Sequence, residues 1–498
     1  MINPINKIWQ WVLILAVSVV AAQAVGSPVS SLWVFIGVLV VMMVTFCRGN
    51  LEAMLSWYIV SLVSIQFIKR ALFLGGPVPL SLYYQIQTIP MVLMVVLAVV
   101  AWVRFLKNRL VARDVAVGLF FLLGATITMV RAFKDGVMAE AFVSLTRYSG
   151  ATVCYLIGRT LTPGVWKGMK KQLLWLFGIT TMLGAAQLIV GPMAVDIQWS
   201  RYTLATSIEA AKVVAALAGG DLFRPYSSFS DPLAWAFFIT FVWSVIEGDV
   251  QSETDSSGRW LLRRVVFVSC LAMGLSRSCL LVGLAMLFFS WVLRRWLLGR
   301  PLVLLATFSF AFFGIVYTVQ YLLDNVITAN WFPQFTSMYL ERFTDIGTLT
   351  QRGYALDEFA QAVKDYAFVG VGWMEHSTLT LGVGSGLPLF QSHNGIVSLM
   401  LVVGLPGVLL VLWLFVGWMN GVTKTIRGKG PSEIQLRWAT AMVLGYICTA
   451  FVSGQQFLNE FFWLMVGWTT MMSLSGGMMG NSNKPVDTAE VATRGAMP

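Results

Sequence analysis

The 498-residue chain is 57% hydrophobic and only 11% charged, with a mean hydropathy of +0.76, which excludes an ordinary soluble protein of roughly 45–50% apolar and about 25% charged residues. Its formal net charge of +11 comes from 34 Lys and Arg against 23 Asp and Glu. The basic residues scatter at the ends of apolar runs, a pattern of membrane orientation that argues against a nucleic-acid partner.

In chain order, apolar runs predict spans near residues 8–25, 29–46, 51–68, 83–106, 115–130, 142–158, 171–191, 232–247, 262–276, 278–293, 301–322, 394–419, 436–453 and 457–475. Most approach the ~20 residues that cross a bilayer, giving an all-α polytopic membrane protein of about 12–14 transmembrane helices. The first run, Trp9 to Val25, follows only Lys7 and ends on Ala22-Gln23-Ala24. So weak a charged leader favours a retained span over a cleaved signal.

With the N-terminus inside, inner connections collect Arg104, Lys107, Arg109 and Arg113, then Arg259, Arg263 and Arg264, then Lys424, Arg427, Lys429 and Arg437. That is the inside bias expected of a multi-span membrane protein in this orientation. Residues 1–475 read as one bundle and residues 476–498 as a polar cytoplasmic tail. Two long connections, 192–231 and 323–393, face outward, so chemistry is sought there.

In the second, Leu356, Phe359, Val363 and Tyr366 recur at helical steps, predicting an amphipathic helix ended by Gly370 and Gly372. Pro90 and the run Gly404-Leu405-Pro406-Gly407 are expected to bend their helices. The five cysteines lie in or beside apolar runs and imply no disulfide framework.

Both histidines, His376 and His393, fall in the second outer loop. Twelve residues separate Arg264 from Arg277; they cover roughly 18 Å of a core about 30 Å thick. Arg277 is therefore predicted at the tip of a short hairpin below the outer surface. An unpaired charge there costs at least ~2.5 kcal/mol; snorkelling, or pairing with Asp231 or Glu460, is the alternative to a binding role.

Arg224, Arg342 and Arg352 also stand on the outer side, where the inside bias disfavours them. Converging guanidinium forks suit a pyrophosphate, although each taken singly reads as a surface residue. There is no phosphate-binding glycine loop, dinucleotide fingerprint, zinc spacing or nucleophile elbow. The span centres lack a chain of Asp, Glu or Lys such as proton-coupled transporters use, with Glu460 in "FLNEFFW" the single exception.

Four stretches in order, "FRPYSSFSDPLAWAFF", "GLSRSCLL", "QRGYALDEFAQAVKDYAFVGVGW" and "SHNGIVSLMLVVGLPG", resemble the O-antigen ligase and O-antigen polymerase superfamily of bacterial membrane glycosyltransferases. They cover residues 220–410; Ala367 departs from a proline usual in the family. The resemblance implies a GT-C-like bundle that transfers a saccharide from a polyprenyl (undecaprenyl) pyrophosphate donor to a sugar hydroxyl on the periplasmic side, with inversion and with neither metal nor cofactor. It implies His393 as general base and Arg224, Arg277 and Arg352 as pyrophosphate contacts, with Arg342 in support. Asn394 either orients His393 or caps the next helix, and His376 is structural or binds acceptor.

Partners implied are the lipid-linked oligosaccharide, a lipid-linked or lipid A core acceptor, membrane lipids and, for a polymerase, a chain-length regulator protein. Span number and chain length favour a polysaccharide polymerase over a ligase. A lipid-linked oligosaccharide flippase is the competing class; its signature of internal repeats with broken helices is missing from the sequence.

Overall fold

The boundaries of the helices follow from local chemistry. Asn50 accepts from the backbone N–H of Glu52 at 3.0 Å and Ala53 at 3.4 Å, so α1 (Leu51–Ala71) opens with its orphan donors satisfied. A single 3-10 turn, Leu72–Gly75, prolongs it. α2 is Thr88–Phe105 and α3 is Ala112–Asp135. The Asp114 side chain accepts from the Val111 N–H at 3.0 Å, and Gly136, at φ 71°, ends α3 with an N–H bond to Ala132 O.

The remaining helices are α4 (Met138–Thr160), α5 (Val165–Val190), α6 (Ala194–Thr203), α7 (Pro232–Asp249), α8 (Ser257–Met273), α9 (Arg277–Arg295), α10 (Gly395–Arg427), α11 (Glu433–Thr449) and α12 (Glu460–Ser482). The structure is a computed structural model describing residues 50–78, 88–107, 110–136, 138–203, 224–249, 257–274, 277–295, 395–427, 433–450 and 459–482, with isolated positions that include Gly37, Cys47, Ile86, Val213, Gly370 and Gly372.

α7 is the hub. Fifteen of its eighteen residues are buried, among them Trp235, Phe237, Phe238, Phe241 and Trp243, and a helix apolar on every side is one wrapped by others. α11, α9 and α5 pack against it. α4 and α12 cross closest of all: a Cβ added at Gly158 would collide with Leu464 O, and one added at Gly467 with Tyr155 O. Paired glycines let two backbones meet where lipid supplies no hydrophobic drive between helices.

Four described stretches are long and apolar enough to cross a membrane: Leu51–Gly75, Ala112–Lys134, Val165–Val190 and Val402–Arg427. Their outer faces expose residues such as Leu122, Val130, Trp175, Met182 and Leu409, the surface that a bilayer covers. The protein is thus an all-helical membrane protein; among the described residues there is no strand.

The helices fall on eleven of the predicted runs. Runs 8–25 and 301–322, and all of 29–46 except Gly37, lie outside the described residues. Three expectations change. α6 forms inside the outer loop 192–231, where no helix was read. α12 runs on to Ser482, into the stretch assigned to the tail.

Glu460 opens α12 instead of lying within its span, because Asn459 caps the helix by accepting from the Phe462 N–H at 3.2 Å. Pro90 lies within α2.

Candidate functional site

The segment Arg224–Asp231 is built around a buried ion pair. Arg70, at the end of α1, donates from Nη1 to Asp196 Oδ1 at 2.7 Å, with both side chains almost wholly buried. A buried pair holds only when its remaining polar atoms are also satisfied. Arg70 Nη2 donates to Ser227 O at 2.8 Å and Phe229 O at 3.4 Å, and Nε donates to Gln66 O at 3.1 Å.

Asp196 Oδ2 accepts from Gln187 Nε2 and from the Met193 N–H, both at 3.1 Å. Gln187 Oε1 in turn accepts from the backbone N–H of Tyr226 at 3.1 Å and Ser227 at 2.7 Å. Three helix ends therefore grip one loop through its backbone.

The grip explains an unusual conformation. Ser227 has φ 56°, the left-handed region that a residue with a Cβ rarely adopts, and it is held there by these bonds and by its own Oγ donating to Thr180 O at 2.6 Å. Tyr226 lies under the Arg70 guanidinium, 4.5 Å from ring centroid to Cζ. Burial pushes its phenol well above the ordinary range despite the opposing pull of Arg70, so it stays a neutral platform. Arg224, at the start of the clamped segment, is exposed.

Asp231 then starts α7: Oδ1 accepts from the N–H of Leu233 and of Ala234, each at 2.9 Å. Next to this start stands the α8–α9 hairpin. Cys279 Sγ donates to Pro232 O at 3.3 Å, and a Cβ on Gly274 would lie 3.3 Å from Cys279 Sγ and 3.7 Å from Pro232 Cβ. Arg277 is the first residue of α9, two residues from that contact. The hairpin predicted from spacing is real, and its Arg277 end abuts the helix that follows Arg224. The starts of α7 and α9 thus lie side by side at the end of the bundle that carries Arg224.

Gly370 and Gly372 enter the same half of the bundle. Gly404, at φ 64°, breaks α10, and Pro406 has no N–H to offer Val402 O four residues earlier. Gly372 N–H takes that acceptor at 2.9 Å. A Cβ on Gly370 would lie 2.6 Å from both Gly404 N and Val402 O, and one on Gly372 about 2.7 Å from Thr128 Cα and Oγ1. Val402 and Thr128 each lie seven residues inside their helix ends, or roughly 10 Å at the helical rise. The turn therefore docks below the rim.

Between α1, α2, α7 and α12 lies a cavity of about 200 Å³. Gln66, Ser230, Asn459 and Glu460 give it polar walls, and Met91 and Phe461 are among its apolar ones. It shares Phe229 and Ser230 with the clamped loop. Sequence reasoning missed Arg70, Gln187, Asp196 and this position of Glu460. One signal was present for the first: Lys69-Arg70 is a basic pair at the outer end of a span, against the inside bias.

Of the residues proposed from sequence, Arg224 and the backbone of Arg277 come to adjoining elements. Arg342, Arg352, His376, His393 and Asn394 lie outside the described residues; the chain is described again at Gly395, where α10 begins. No family model and no curated protein matches the chain. Fold and site together define a membrane-embedded helical protein with a polar-walled cavity beside a loop held by a buried ion pair.

Proposed function

We propose that the chain is a membrane glycosyltransferase of the O-antigen polymerase and ligase kind, acting as a polysaccharide polymerase in the bacterial inner membrane through about 12–14 spans, with its site facing the periplasm. The observation that carries this reading is the contact of Cys279 Sγ with Pro232 O, which joins the Arg277 hairpin to the segment bearing Arg224. Guanidinium groups of Arg224 and Arg277, on adjoining elements, would suit a pyrophosphate.

In the reaction, an acceptor hydroxyl oxygen attacks the anomeric carbon of the donor sugar from the face opposite the leaving group. Its proton passes to neutral His393, the bond from the anomeric carbon to the phosphate oxygen breaks, and polyprenyl pyrophosphate leaves with the electron pair. Arg224, Arg277 and Arg352 offset the charge that develops on the leaving group; Arg342, His376 and Asn394 support the site. Imidazole suits the base role because its ordinary pKa lies near neutrality.

The test is turnover in proteoliposomes given a polyprenyl-pyrophosphate oligosaccharide. Release of polyprenyl pyrophosphate with glycan elongation is expected, transfer only to a lipid A core acceptor would make the protein a ligase, and absence of any release would refute the reading.

A further inference from the structure

The cavity between α1, α2, α7 and α12 takes no part in the chemistry proposed above, yet it lies against the clamped loop that follows Arg224 and shares Phe229 and Ser230 with it. Ser230 is exposed and Phe229 is buried, so the cavity opens beside the loop and runs inward among the helices. Its volume of about 200 Å³ exceeds the ~150 Å³ that holds a benzene ring. One six-membered ring therefore fits.

Three neutral hydrogen-bonding side chains line it from three elements. Gln66 of α1 lends its backbone carbonyl to Arg70 Nε, while its side-chain amide has no hydrogen-bond partner among the described residues. Asn459 uses Oδ1 to cap α12 at the Phe462 N–H, and its amide N–H groups are likewise unengaged among the described residues. Ser230 donates its hydroxyl proton to Asp231 Oδ2 at 3.0 Å and keeps its lone pairs for a further donor. Glu460 adds a carboxylate, and no Lys, Arg or His is among the described lining residues.

The apolar part of the wall is fixed. Phe229 and Phe461, both buried, each pack on Phe238, with ring centroids 5.5 and 5.8 Å apart, and Phe461 also stacks on Phe241 at 4.7 Å. Held aromatic rings beside unengaged amides suit a rigid ligand with an apolar face and a polar rim. An acyl chain would leave the amides against hydrocarbon without partners. An anion would meet Glu460 with no cation to offset it. A sugar ring avoids both costs: its C–H face packs on the apolar wall, and its hydroxyls donate and accept as the amides do.

We infer that this cavity binds one neutral pyranose ring of a saccharide, with Gln66, Ser230 and Asn459 on its hydroxyls. That the ring belongs to the acceptor rests on the proposed glycosyl transfer: the donor's pyrophosphate goes to the arginines, and the attacking sugar is held in the cavity beside the Arg224 loop.

The experiment is saturation-transfer NMR of the full chain in a detergent without a sugar headgroup, with methyl glucoside, methyl galactoside and methyl N-acetylglucosaminide as probes. Transfer to the ring protons of at least one glycoside is expected. Gln66→Met, which keeps the backbone bond to Arg70, and Asn459→Asp, which keeps the cap of α12, should each weaken binding about fivefold, the effect of one hydrogen bond. Ala234→Leu, which fills the cavity from α7, should abolish it.

No transfer to any of the three glycosides, or unchanged binding in both amide variants, overturns the assignment. Displacement by millimolar methylammonium would make the cavity a cation site at Glu460 and would overturn the saccharide. In proteoliposomes the amide variants should raise KM for the acceptor and leave that for the donor unchanged. Glycoside binding without release of polyprenyl pyrophosphate refutes the glycosyl transfer and leaves the cavity's sugar standing, whereas turnover with an unchanged acceptor KM in both variants refutes the cavity assignment alone.

Discussion

Replacing Gly372 by alanine tests how the outer loop is anchored. Its φ of 80° is a conformation in which a Cβ costs about 1–2 kcal/mol. The new methyl would also meet Thr128 Cα and Oγ1 at 2.7 Å and Thr128 N at 2.8 Å. Two of those three atoms are helix backbone and cannot swing aside, so overpacking adds about 1–3 kcal/mol.

Any retreat of the turn lengthens the bond from Gly372 N–H to Val402 O, now 2.9 Å, and leaves a carbonyl that Pro406 cannot serve. Together these amount to a destabilisation of about 3–5 kcal/mol. The assay is thermal unfolding of the purified protein in detergent, with Gly178→Ala as comparison. Gly178, inside α5, has open space around its Cβ position, and alanine there should stabilise by about 0.5–1 kcal/mol.

Thr128→Ala added to Gly372→Ala should recover little, since the backbone contacts persist. If Gly372→Ala unfolds at the wild-type temperature, or if Thr128→Ala restores it, the docking of the turn on backbone is wrong.

Arg70→Met should cost about 3–5 kcal/mol, because it strands Asp196 as a buried charge, and should release the Arg224–Asp231 segment to proteolysis; an unchanged cleavage rate would contradict the clamp. Asp231→Ala should cost about 1 kcal/mol through the lost cap of α7, read as a small drop in unfolding temperature, and Asp231→Asn should recover most of it. For the proposed chemistry, His393→Ala should cut turnover by about 10²–10⁴ with donor binding intact. Arg277→Lys, which keeps charge but loses the fork, should weaken donor binding; unchanged affinity would argue against bidentate pyrophosphate recognition.

The candidate site was partly legible. Arg277 could be placed in a hairpin because twelve residues are too few to cross the membrane, a constraint of length alone, and the observed break between Met273 and Arg277 agrees. The glycine pair at 370 and 372 was read as a helix stop. Its docking on Val402 and Thr128 depends on a carbonyl left open by a proline thirty-four residues later, which no local pattern encodes.

Asp231 caps α7 in the fold. Arg70 and Asp196 are 126 residues apart in the chain, and nothing in the neighbourhood of either announces the other.

What the sequence determined by itself is the class of protein and the stations where its helices start and stop. Burial in lipid forces each span to satisfy its own backbone, so length, hydropathy and breakers act locally and can be read locally. Which ends meet is a different matter. The pairing of Arg70 with Asp196, the seat of Cys279 on Pro232 and the approach of Arg263 and Arg264 to Glu247 arise from helix packing, where shape and close approach choose the neighbours. Only the tertiary structure decides them, because a charge buried among helices is stabilised by partners that chain order does not specify.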